Sequence, residues 1–196
     1  MKQKKFLISF NSPIILGFTF LCFIALILNY ITHGITNRMF FSIYRSSPWN
    51  PLFYIRLFGH VFGHAGWDHF FGNITLILVI GPLLEEKYGS VNLSLVMLIT
   101  ALITGIFNLV FFPGTQLLGA SGVVFACIML SSMTSITEGS IPVTFILIAV
   151  IYIGGQIFDG IFTRDNVSHL THIMGGGVGV VMGYFLNRKK QNRYCR

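Results

Sequence analysis

Acidic residues are scarce in this 196-residue chain: six Asp and Glu stand against thirteen Lys and Arg, and charged residues make up only 10% of the total. A soluble domain carries about 25%. With 54% hydrophobic residues, the composition is that of a membrane protein. Cysteine is nearly absent too. Cys22, Cys127 and Cys195 sit in or beside apolar runs without a CxxC pairing, which excludes a disulfide framework and a cysteine zinc site. Linkers, internal repeats and low-complexity stretches are missing, so one compact domain over 1–196 is expected. The first apolar run is too long for a cleavable signal peptide, and no small-x-small site follows it. The net charge of +7 does not indicate nucleic acid. Lys2, Lys4 and Lys5 lie at one end and Arg188, Lys189, Lys190, Arg193 and Arg196 at the other, where basic flanks act as topology signals.

What the chain has instead is six apolar stretches of about the length needed to cross a bilayer, roughly 20 helical residues. They run over 13–31, 67–84, 91–112, 119–136, 141–158 and 167–186. The fold class predicted is an all-α membrane protein, a compact bundle of six transmembrane helices. An even number of crossings puts both termini on one face, and the positive-inside rule makes that face cytoplasmic in the cell membrane. Arg38, Arg45, Arg56 and Arg164 then fall outside, against nine basic residues inside including Lys87. The connection over 32–66 carries Phe40, Phe41, Tyr44, Trp49, Phe53, Tyr54 and Phe58 among its arginines. That mixture suits a segment lying in the headgroup region.

Helices two, four and six all start at the outer face in this topology. Ser121, in Gly119-Ala120-Ser121-Gly122, lies near the outer end of helix four. His69 and Asn73, four apart and hence on one face, lie in the first turns of helix two. His172 lies about one turn into helix six. Polar groups inside spans are costly and face the bundle interior or a cavity, and these three clusters share one depth. Gly175, Gly179 and Gly183 recur every four residues, a smooth face for another helix. His169 and His172 can both reach the cavity on spacing, and the glycine face favours His172.

Two rival intramembrane chemistries lack their residues. His60 and His64 are spaced to hold zinc if helical, with His69 or Asp68 as a third ligand. However, HVFGH has Val61 where HExxH needs its glutamate base. A carboxylate pair must share one site, and Asp159 and Asp165 both lie near the outer start of helix six. No metal or other cofactor is expected. A serine needs a base to take its proton, and Ser121 with His172 supply a dyad, since no acid lies at the right depth to make a triad. Phe125, one turn below Ser121, is placed to hold the imidazole. The Ser121 backbone N–H, His69 and Asn73, with Gly119 in the same motif, are the candidates for receiving an oxyanion.

With its His64/His69/Asn73 set, Gly119-Ala-Ser-Gly122 and His172-Ile-Met-Gly-Gly176, in this order and spacing, the chain resembles the rhomboid family of intramembrane serine proteases from about Arg56 to Leu186. The resemblance implies six core helices, Ser121 as nucleophile, His172 as base, and His69 and Asn73 around the oxyanion. It also implies cleavage of transmembrane protein substrates near the outer surface of the lipid bilayer, with small residues favoured before the cut. Glu85 ahead of a turn at Gly89 resembles a helix end of the family, and the chain looks like its minimal six-helix bacterial form. Two positions depart from the family: Ile55 precedes Arg56 where a tryptophan is frequent, and Phe125 replaces a frequent tyrosine. The alternative from another class is a catalytically silent member acting as a membrane-protein binder or quality-control factor. A third, a small transporter, would use Thr100, Thr104 and Asn108, which read better as interhelical hydrogen-bond partners.

Overall fold

A computed structural model describes residues 10–135, 141–162 and 166–194. Lys2, Lys4, Lys5, Ile136, the connection over 137–140, Arg164, Asp165, Cys195 and Arg196 lie outside the described residues, as do the side chains of Asp159, Lys189, Lys190 and Arg193. Eight α-helices follow in order: α1 Pro13–Ile31, α2 Ile35–Phe40, α3 Pro51–Gly59, α4 Trp67–Tyr88, α5 Ser90–Phe111, α6 Ser121–Ser132, α7 Val143–Phe162 and α8 Asn166–Tyr194. Among the described residues α1, α4 and α5 are long and apolar enough to cross a membrane, and α6 is apolar but shorter.

Several helix ends differ from the sequence expectation, each for a local reason. Helix α4 runs on to Tyr88 because Leu84, Glu85, Glu86 and Lys87 are good helix formers; Gly89, at φ +82°, stops it. Helix α5 then starts at once, so the loop expected over 85–90 shrinks to a single residue. Helix α8 continues past Leu186 through a polar stretch to Tyr194. Helix α7 spans Val143–Phe162 rather than 141–158, opening just after Pro142. Helix α6 has 12 residues instead of the 18 read as a span. It cannot begin before Ser121, because Gly119 sits at φ +131°, and it tightens into a 3₁₀ turn at Met133–Ser135. At 1.5 Å per residue α6 is about 18 Å long. It can be short because it is central: eight of its residues are buried and α4, α5, α7 and α8 all pack on it.

The tightest of these contacts is glycine-mediated. A Cβ on Gly175 would overlap the Gly122 carbonyl, and one on Gly179 would overlap the Ala126 carbonyl. Gly183 faces Met133 and Leu130 in the same way. Helix α1 is tied in from the opposite side. The Glu85 carboxylate accepts from the backbone N–H groups of Ile14 and Ile15, 3.1 Å each, and from the Ser90 hydroxyl at 2.7 Å. Those two N–H groups have no partner within their own helix, so a side chain seventy residues away caps α1.

The segment between α1 and α4 is more structured than a surface loop. It holds α2, α3 and a 3₁₀ turn at His60–Phe62. Arg38 and Arg45 are exposed, whereas Arg56 is 3% exposed. Its guanidinium lies 4.7 Å over the Tyr44 ring and donates to Ser46 Oγ at 2.7 Å and Tyr44 Oη at 3.3 Å. Arg56 therefore stiffens the segment from within.

Gly179→Val forces α8 off α6 and is expected to lower stability by about 1–3 kcal/mol, the usual range for overpacking. Gly154→Val, on an exposed position of α7 with open space around it, is expected to stay within about 0.5 kcal/mol. Thermal unfolding of the two variants in one detergent checks this difference.

Candidate active site

Ser121 is the first residue of α6, so its N–H belongs to the first-turn donors that have no intrahelical acceptor. Its side chain is half-buried, while Gly119, Ala120 and Gly122 around it are buried. The segment leading into it is strapped in place. Ile43 and Leu117 exchange a pair of backbone hydrogen bonds of 2.9 and 3.0 Å, and the Gly119 N–H donates to the His60 carbonyl at 2.9 Å. Beneath them Asn108, fully buried, donates to the carbonyls of Ile43 and Thr115 at 3.4 Å each. The conformation of Gly119 disfavours any other residue. Space forbids one as well: a Cβ there would lie 2.7 Å from His69 Cε1 and 2.8 Å from His69 Nε2, with Ser121 Oγ 3.8 Å away. His69 and Ser121 thus flank the same glycine.

Asn73 is one turn along α4 from His69, 7% exposed, and its Nδ2 has no hydrogen-bond partner among the described residues. A buried amide left open in this way is costly, and it is the kind of donor a polar ligand atom satisfies. From the other side Phe125, one turn along α6 from Ser121, packs against the His172 ring with centroids 4.5 Å apart and planes at 36°. His169 meets the same ring edge-on at 6.3 Å. Gly175, three residues beyond His172, rests on Gly122, the neighbour of Ser121. The structure therefore sets Gly119 and His69 beside Ser121, with Phe125 and the His172 ring packed on it one turn along α6, and Asn73 one turn along α4 from His69.

His60 and His64 do not converge on a metal. The chain leaves α3 through the 3₁₀ turn and is extended at Gly63, with ψ 144°, so the spacing of four does not place the two rings on one helical face. His60 Nδ1–H donates to the Leu57 carbonyl at 3.1 Å, and its Nε2 lies 3.3 Å from Thr104 Oγ1. His64 Nδ1–H donates to the Phe62 carbonyl at 3.1 Å, and its ring stands edge-on to His69 with centroids 5.1 Å apart. Its own carbonyl accepts from Asn37 Nδ2 at 2.9 Å. No group of three His, Cys, Asp or Glu side chains is assembled for a metal ion among the described residues. Thr100 and Thr104 turn their hydroxyls mainly back to Val96 and Thr100 carbonyls of their own helix, so only Asn108 and the His60 contact of Thr104 join elements. Ile43, Thr115 and Asn37 went unnoticed in the sequence, because backbone bridges and carbonyl contacts leave no periodic trace.

The Rhomboid domain family matches residues 52–189 of this chain. The chain belongs to the rhomboid family. It is 29% identical over 138 residues to Rhomboid-related protein 1 of Caenorhabditis elegans, covering 66% of this chain and 39% of that protein. It is 30% identical over 142 residues to Rhomboid-related protein 2 of Mus musculus, covering 66% of this chain and 47% of that protein. Rhomboid protease GlpG of Salmonella choleraesuis is 26% identical over 182 residues, covering 88% of this chain and 65% of that protein. The chain thus spans 39 and 47% of the first two relatives. The matched region of this rhomboid chain contains Ser121, Gly119, His69, Asn73, Phe125 and His172.

Burial pushes the imidazoles of both His60 and His64 down from 6.5 to about 4, against the pull of their carbonyl partners, and His69 adds a smaller push on His64. Both rings are neutral in the folded protein at neutral pH, and the unfolded chain binds more protons below pH 6.5. Their contribution to stability is full above pH 6.5 and is lost as pH falls toward 4. Thermal unfolding followed from pH 7 to 4 is expected to show a midpoint that drops through this window. His60→Gln is expected to flatten the drop.

Proposed function

We propose that this rhomboid protein is an intramembrane serine endopeptidase that cleaves transmembrane protein substrates with a Ser121–His172 dyad. The observation that carries this reading is the seating of α8 on α6. Gly175 against Gly122 and His172 against Phe125 bring one imidazole to the helix end that begins with Ser121. In this reading Ser121 Oγ attacks the scissile carbonyl carbon while His172 takes its proton and passes it to the leaving amine. Water then hydrolyses the acyl-enzyme with His172 again as base. The ring of Phe125 holds the imidazole in the absence of an acid. The oxyanion is received by the Ser121 N–H, His69 and the open amide of Asn73, with Gly119 leaving room for the His69 ring. His64 supports His69 from behind.

The reading extends to placement. The chain forms one domain of six crossings in the cell membrane, with both termini cytoplasmic and the dyad near the outer surface. Long apolar helices and basic termini support it. Binding of membrane proteins without turnover is the competing role, and retention of both Ser121 and His172 speaks for catalysis.

In proteoliposomes with a single-pass reporter substrate, Ser121→Ala and His172→Ala are expected to abolish cleavage. Either one should also abolish labelling by a fluorophosphonate probe. His69→Ala and Asn73→Ala are expected to lower kcat about 10²–10³-fold, as loss of an oxyanion donor does, with KM little changed. Cleavage that survives Ser121→Ala overturns the proposal.

A further inference from the structure

On the far side of α8 from the candidate site, a groove of about 400 Å³ opens between α5 and α8. Ile99 and Ile103 form one wall, Ile173, Val178 and Val181 the other, and no polar side chain lines it. Ile99 and Ile103 sit mid-way along α5, one of the helices suited to span the membrane, so the groove lies at hydrocarbon depth.

Gly177 forms part of the lining. It differs from its neighbours in the glycine-rich run. Gly175 and Gly179 are pressed on α6, whereas a Cβ on Gly177 would meet nothing within 4 Å, and the residue is exposed. A glycine inside a helix is less favourable than an alanine. No packed neighbour requires one here. Its effect is to keep the groove open.

From Gly177 the same helical stripe continues through Val181 and Tyr184 to Arg188. Arg188 lies about 10 Å beyond Val181 at 1.5 Å per residue. It is exposed and its guanidinium donates to Tyr184 Oη at 3.4 Å. Lys189, Lys190 and Arg193 follow in sequence, and no acidic residue occurs after Asp165. An apolar slot thus runs toward a cationic end that lacks counter-charges from its own helix. We propose that the α5–α8 groove binds an acyl chain of an anionic phospholipid whose phosphate is held at Arg188. The lipid fills the space behind α8 while the opposite face of α8 meets α6. It therefore braces the helix that carries His172. The inference depends on the membrane setting and not on the proteolytic reading.

Native mass spectrometry of the detergent-purified protein, titrated with phosphatidylglycerol or phosphatidylcholine of the same acyl chains, tests it. The wild type is expected to retain one phosphatidylglycerol at least tenfold more strongly than phosphatidylcholine. Arg188→Gln is expected to erase that preference. Gly177→Leu fills the groove and is expected to lower phosphatidylglycerol retention at least tenfold, without lowering the unfolding temperature in lipid-free detergent. Should Gly177→Leu fail to fold, Val181→Trp, which blocks the same groove from an exposed position, gives the same readout. Equal retention of the two lipids by the wild type overturns the proposal. So does undiminished phosphatidylglycerol retention in the groove-filling variants, or dimer formation that they abolish, which would assign the groove to a second copy of the chain.

Discussion

Backbone-to-backbone contact between α6 and α8 is what the rest of this structure depends on. In a bilayer, apolar side chains gain little by leaving lipid for a neighbouring helix, so close packing has to hold helices together. Gly175 and Gly179 let α8 approach until its backbone touches the carbonyls of Gly122 and Ala126. That closeness fixes both the height and the rotation of α8. A slip of one residue would raise His172 by about 1.5 Å and swing it by about 100°, away from Phe125 and the start of α6. The geometry around Ser121 is thus a product of helix packing.

The second constraint is polar. Irregular backbone inside a membrane protein has to be satisfied by protein or by a water-filled cavity. The approach to Ser121 is irregular from Phe112 to Ala120, and the chain satisfies it with its own parts: the Ile43–Leu117 bridge, the His60 carbonyl and the amide of Asn108. The segment between α1 and α4 serves as a clamp here. His60 and His64 belong to it, each with one ring nitrogen spent on a nearby carbonyl. Some buried polar atoms stay open, among them Arg56 Nε in the clamp, His64 Nε2 next to His69, and Asn73 Nδ2 on α4.

Much of this was legible beforehand. The positions of the long helices followed from apolar runs. Helix direction gave the expectation that Ser121, His69, Asn73 and His172 share one depth, and the spacing of Gly175 and Gly179 pointed to the face that packs on α6. Helix ends were less legible. Apolar length reports solvation by lipid, whereas a helix stops where the backbone does, as at Gly89 and Gly119, and a polar helix such as the end of α8 can run on into water. Burial of Arg56 was hidden because its partners, Tyr44 and Ser46, lie in an extended stretch with no repeat. The cap that Glu85 provides was equally hidden, since it joins two helices that are not neighbours in sequence.

That cap bears on how much of the chain makes a self-sufficient unit. The family match begins at residue 52, after α1, yet α4 is shaped to receive α1. The Glu85 carboxylate is 4% exposed with its oxygens turned to Ile14 and Ile15, and Gly81 has no room for a Cβ against Ile15. A piece cut at the family boundary would leave that carboxylate with the Ser90 hydroxyl but without its two backbone donors, and an empty notch where Ile15 sits. The boundary drawn by sequence kinship is narrower than the one drawn by solvation, and α1 lies on the inner side of the latter.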